Sequence, residues 1–155
     1  MNVFVENRHR SYRVNGALVC RVVRRALKRL GKAAGVELSV VFLDDRAMRA
    51  MNRRYKKHDR PTDVLSFPLD GGDGDVAEGM RGAIAVSLDR AKAQAKRFRA
   101  GFGEEAVRYV VHGILHLSGY DDLARPDRAL MSAKEDEILR WLATRERLSK
   151  VLTPQ

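Results

Sequence analysis

Residues 2 to 6 (Asn-Val-Phe-Val-Glu) and 36 to 43 (Val-Glu-Leu-Ser-Val-Val-Phe-Leu) read as strands, short apolar-rich runs of which the second alternates strictly over residues 36 to 40. Between them the period lengthens. Leu18, Val22, Val23, Ala26, Leu27 and Leu30 recur three and four apart, which predicts a helix over roughly residues 14 to 33. Asp44 or Asp45 then caps a helix running to about Tyr55, and residues 56 to 61 read as loop. Asp63-Val-Leu-Ser-Phe-Pro68 reads as a strand stopped by proline, and Ala83-Ile-Ala-Val-Ser87 as another that leads into a helix from about Leu88 to Arg99. Glu104 and Glu105 open the next helix, where acidic side chains suit the positive end of the dipole. Asp127 to about Leu148 forms the last, with Leu130, Met131, Ile138, Trp141 and Leu142 as its buried side. With no internal repeat and no linker, the pattern predicts one α+β domain over residues 1 to 155, a small mixed β-sheet packed with helices.

Composition agrees with a packed domain. The 155 residues suffice for a real core, and an apolar fraction of 45% is ordinary for a globular chain. The single cysteine, Cys20, cannot form an internal disulfide and lies among the apolar positions of the first helix, which reads as a small core residue in a reducing compartment. Glu6, Arg8, His9, Arg10 and Arg13 interrupt the first twenty residues before any signal peptide or membrane span could form, so the expected location is the cytoplasm, with no membrane partner.

Charge adds a partner. Thirty Lys and Arg against twenty Asp and Glu leave a formal charge of +10. Arg21, Arg24, Arg25, Lys28 and Lys32 run opposite the apolar stripe of the first helix. Arg53, Arg54, Lys56, Lys57, His58 and Arg60 cluster just before a predicted strand. One such stripe is ordinarily a solvated face; two clusters with this net charge favour a polyanion, whose phosphates would bind Lys and Arg without sequence choice.

The chemistry concentrates in His112-Gly-Ile-Leu-His116-Leu-Ser-Gly119-Tyr-Asp-Asp122. Residues four apart on a helix share a face, with Cβ atoms about 5–6 Å apart. Two imidazoles so placed can hold one Zn²⁺. Gly119 ends the helix cheaply in the left-handed conformation, letting the chain return with a third ligand. The spacing H-x-x-x-H-x-x-G-x-x-D is that of a zincin-like, metzincin-type helix, with Asp122 in place of the third histidine. Asp121 is the alternative ligand, ranked behind Asp122 on spacing. Zinc peptidases of this pattern carry glutamate directly after the first histidine as general base, and this chain has Gly113. Two further segments carry less. Residues 70 to 75 have the oxygens of a calcium loop without its spacing or closing glutamate, and read as an acidic surface loop. Ser66 has no G-x-S-x-G turn around it and reads as a strand residue near the site.

Asn52-x-x-Tyr55-Lys56-x-x-Asp59-Arg60-Pro-Thr62-Asp63-Val-Leu-Ser66-Phe-Pro68, the segment from His112 to Asp122, and Met131-x-x-x-Glu135 together resemble the YbeY family of bacterial endoribonucleases and rRNA maturation factors, over roughly residues 40 to 140. The resemblance implies an α+β domain, one divalent metal ion with zinc first, no small-molecule cofactor, and cleavage of single-stranded RNA in small-subunit (16S) rRNA maturation and ribosome quality control. Three positions depart from the family's pattern. Asp122 stands where the family has histidine, which adds negative charge to the metal shell, makes a bound water less acidic and favours harder metals. Lys56 replaces an arginine, keeping the charge but not the planar fork. Gly82-Ala83 replaces Gly-Asp.

The expected mechanism places an RNA phosphodiester over a metal held by His112, His116 and Asp122. Lys56 neutralises the phosphoryl oxygens, and Arg54, Lys57 and Arg60 bind RNA. The competing readings are a noncatalytic ribosome-assembly or RNA-binding factor with a structural metal, and a metallopeptidase, disfavoured by Gly113.

Overall fold

A computed structural model describes residues 1–56, 62–69, 79–120 and 124–154, except for the side chain of Lys56. The elements run β1 (Asn2–Asn7), β2 (Tyr12–Val14), α1 (Gly16–Arg29), β3 (Glu37–Leu43), α2 (Asp45–Lys56), β4 (Val64–Pro68), β5 (Arg81–Ser87), α3 (Leu88–Phe98), α4 (Phe102–Leu117), α5 (Arg125–Arg145), one 3₁₀ turn (Leu148–Lys150) and β6 (Leu152–Pro154). Strands β1, β3 and β5 are parallel, and β4 joins the edge of β5 antiparallel, giving the order β1-β3-β5-β4. This is the α+β fold with a small mixed sheet that the periodicity predicts.

Register decides what each face of the sheet carries. Leu38, Val40 and Phe42 of β3 share a face with Ile84 and Val86 of β5, and on it they join the apolar stripe of α1 and the inward side of α4 in the main core. On the opposite face Leu43, Leu65 and Ala85 meet Met48 of α2 in a second, smaller cluster. Helix α5 lies outside α1 and α4, sending Ile138, Leu139 and Leu142 into the main core. Ser66, in register with Ile84, is a buried strand residue, as its sequence context suggested. Cys20 is half-buried and free.

Helix starts follow their capping chemistry. The side chain of Asn15 accepts from the Leu18 N–H, Asp44 from Ala47, and Ser87 from Arg90. Where the structure departs from the pattern, local causes are visible. Helix α5 begins at Arg125, with proline in its first turn, and its first residues are exposed, Leu130 among them at 62% rather than buried. Trp141 is only half-buried, with the guanidinium groups of Arg29 and Arg145 at 5.1 and 5.5 Å from its ring. Helix α4 starts at Phe102, two residues before its acidic pair. The basic stripe of α1 is partly spent within the fold: Arg21 and Arg25 both reach Glu146, at 2.9 and 3.3 Å, and Arg29 reaches Glu137 at 2.8 Å. Two short strands escaped the pattern, β2 and β6, which pair antiparallel from opposite ends of the chain. The acidic segment 70 to 75 lies outside the described residues.

Candidate metal centre on helix α4

Helix α4 is seated on β5 by two glycines. A Cβ on Gly113 would lie 2.8 to 3.0 Å from three side-chain atoms of Ile84, which is fully buried, and one on Gly82 would lie 2.8 Å from Leu117. Real carbon contacts begin near 3.5 Å. Position 113 therefore faces the sheet and holds no side chain because there is no room for one. A glutamate there would point into Ile84, so the peptidase arrangement is closed by packing as well as by sequence.

One residue before and three after, the helix turns its histidines outward. His112 is half-buried and His116 exposed, one turn apart. Ser118 ends the helix and Gly119 follows at φ 103°, with the Tyr120 N–H returning to Leu115 O at 3.0 Å. That left-handed residue is the helix stop the sequence predicts.

Glu135 of α5 meets this face. Its Oε2 lies 2.9 Å from His112 Nδ1, and its Oε1 accepts from Arg108 Nη1 at 3.0 Å. Arg108 also donates to Asp136 at 2.9 Å. Burial works against the Arg108 charge, yet the hydrogen bonds to Asp136 and Glu135 hold its pKa above the usual value. Further carboxyls surround this core. Burial raises Asp63, against the pull of Arg90 and His112, and burial raises Glu105, against the pull of Arg108. The Tyr109 hydroxyl is pushed up by burial and by the charges of Asp63 and Glu105. His112 thus sits in a negative environment, suited to a bound cation.

The predicted site residues divide accordingly. His112 and His116 are brought together on one face of α4. Asp122, its alternative Asp121, and Lys57 and Arg60 lie outside the described residues, as does the side chain of Lys56. No cluster of three or more His, Cys, Asp or Glu able to hold a metal is found among the described residues. The donors present fit zinc: two imidazoles on one helical face, one backed by a carboxylate. Arg54 is not brought to them. It lies exposed near the end of α2, its guanidinium 5.3 Å from the Tyr55 ring. Tyr55 in turn packs edge-on at 5.5 Å against Phe67, on the sheet face opposite α4. Residue spacing had no means of finding the Glu135 contact, since the two partners lie 23 residues apart. The only signal was Glu135's place in the family-like motif.

Fold and site together define an α+β protein with a His-x-x-x-His helix seated on the antiparallel edge of a mixed sheet. A family profile described as Endoribonuclease YbeY matches residues 4–143. A protein named Endoribonuclease YbeY from Chlorobium luteolum is 38% identical over 130 residues, covering 84% of this chain and 90% of that one. Its namesake from Pelotomaculum thermopropionicum is 37% identical over 145 residues, covering 90% and 95%. The solution structure of TM1509 from Thermotoga maritima superposes with a TM-score of 0.64 at 26% identity, covering 96% of this chain and 95% of that one. The chain belongs to the YbeY family, whose curated members are named endoribonucleases. Among the described residues no helix is long and apolar enough to cross a membrane.

Proposed function

We propose that the chain is a metal-dependent endoribonuclease of one domain, residues 1 to 155, that cleaves single-stranded RNA in the cytoplasm during small-subunit rRNA maturation and ribosome quality control. The observation that carries this reading is the His112–Glu135 contact at 2.9 Å, one turn from an exposed second imidazole, in a chain of formal charge +10. His112, His116 and Asp122 would hold one divalent ion, zinc first. When bound, such an ion polarises a phosphoryl oxygen or lowers the pKa of a water.

The chain's own residues supply the rest. The exposure of His116 leaves that side of the helix open to a phosphodiester. Lys56 neutralises charge on the phosphoryl oxygens, while Lys57 and Arg60, and Arg54 farther from the histidines, bind RNA as sequence-independent phosphate contacts. With Gly113 there is no glutamate to act as general base in peptide hydrolysis, which favours RNA over protein as substrate.

His116→Ala and Asp122→Ala are each expected to abolish chelator-sensitive cleavage of a single-stranded RNA oligonucleotide while leaving the thermal transition in place. Cleavage that survives both substitutions, or that is indifferent to chelation, overturns the reading. Salt-sensitive RNA binding without cleavage under zinc or manganese points instead to a noncatalytic assembly factor.

A further inference from the structure

Glu135 is among the few polar side chains that the fold buries, at 8% exposure, and both of its oxygens are used. It reaches across from α5 to two residues one turn apart on α4, Arg108 and His112. Arg108 is anchored on its other side by Asp136 at 2.9 Å, with Glu105 at 3.9 Å. The carboxylate therefore cannot swing away from the imidazole without breaking a second charged hydrogen bond. An ionised carboxylate only accepts, and a neutral imidazole carries one proton. The proton of His112 is then drawn to Nδ1, and the lone pair is carried by Nε2 on the far side of the ring from Glu135. The His116 imidazole, by contrast, makes no hydrogen bond among the described residues, and the residue is exposed.

We propose that Glu135, locked by Arg108, is the positioning residue of the metal site: it fixes the tautomer and ring plane of His112 so that Nε2 is presented as a preformed donor. This deepens the proposed function and rests on its metal reading. It assigns the two histidines unequal parts, His112 as the oriented ligand and His116 as the one that orders on binding. Outer carboxylates of this kind typically account for about 10–100-fold in metal affinity.

The test uses the whole chain without RNA. Zn²⁺ and Co²⁺ dissociation constants are measured by chelator competition for the wild type, Glu135→Gln, Glu135→Ala and a control, Glu137→Gln, whose carboxylate pairs at the surface with Arg29 and Lys134. Both Glu135 variants are expected to bind about 10–100-fold more weakly, and the control to match the wild type. Nitrogen NMR of the metal-free protein should show His112 protonated at Nδ1 in the wild type and that preference lost in the variants. Should Glu135→Ala fail to fold, the isosteric Glu135→Gln carries both readouts. A folded Glu135→Gln with affinity within twofold of the wild type, or a wild-type His112 protonated at Nε2, overturns the inference alone. A wild type that takes up no metal overturns this inference and the metal reading together.

Discussion

Substituting Gly113 tests what seats the metal helix. Alanine at this position improves helix propensity by about 1 kcal/mol, and on an exposed helix it would stabilise the chain. Here the new methyl meets three atoms of Ile84 at 2.8 to 3.0 Å, each well inside a normal carbon contact. Ile84 is fully buried and β-branched, so it has few rotamers with which to retreat. Overpacking of this kind costs about 1–3 kcal/mol. Gly113→Ala is therefore expected to be net destabilising by about 1 kcal/mol, a fall of about 2–4 °C in Tm for a chain of this size. Gly113→Glu, which recreates the H-E-x-x-H spelling, adds an unpaired carboxylate to the same apolar contact. It should lose several kcal/mol or fail to fold, with no gain of peptidase activity. A double-mutant cycle isolates the cause. Ile84→Ala alone is expected to lose about 2–5 kcal/mol. On that background the obstruction is gone, so Gly113→Ala should turn stabilising, with a coupling of about 1–3 kcal/mol. Urea unfolding of the four proteins reads these values directly. If Gly113→Ala stabilises the wild type, or adds independently to Ile84→Ala, then α4 is not held against β5 by this contact and the argument fails.

Asp89 offers a pH test. Burial works against its charge, but hydrogen bonds from His9 and from the Asp45 N–H outweigh it and hold the carboxyl below its usual value. A depressed carboxyl adds stability above its unfolded pKa and loses it as the pH falls through the folded one. Asp89→Asn should thus lower stability at pH 7, by less than about 1 kcal/mol because the carboxyl is partly exposed and screened, and the gap should close as urea titrations move to pH values below the usual carboxyl range. Glu146→Gln releases Arg21 and Arg25, both substantially exposed, so unfolding should change by less than about 1 kcal/mol at low salt and not measurably in 1 M salt. A larger, salt-insensitive loss would show that Glu146 supports the α1–α5 contact by packing rather than by charge.

The long elements were legible because each has one buried face of its own. The alternation at the start of β3 and the three-four spacing of α1 survive in the structure almost residue for residue, whereas β1 alternates in burial but not in sequence, its apolar Phe4 being exposed. Strands β2 and β6 were not legible, since three residues are too short to display a period and their partners lie at opposite ends of the chain. Leu130 failed for the opposite reason. Its spacing continues the apolar pattern of α5, but it is left largely exposed beside the end of α4, and a pattern cannot report how much of a position its neighbour covers. Charge was legible only as a count: Arg21 and Arg25 of the α1 stripe, and Arg29 beside it, are partly answered by Glu146 and Glu137, pairs that join elements far apart in the chain and that no spacing reports.

The site divides along the same line. The ligand candidates are local, carried by one helical turn and its glycine stop, and they could be named from spacing alone. What makes the turn useful is not local: Ile84 sets how closely the helix approaches the sheet, and Glu135 sets which nitrogen of His112 carries the lone pair. Neither contact follows from any period, because each joins elements that meet only after the sheet and the α4–α5 pair have formed. Substitutions at positions 84 and 135 should therefore act on the metal centre as strongly as changes beside the histidines, though by different routes. Ile84 acts through the position of the helix and should move stability and metal affinity together. Glu135 acts through one imidazole and should move affinity with little change in stability beyond the loss of its own hydrogen bonds.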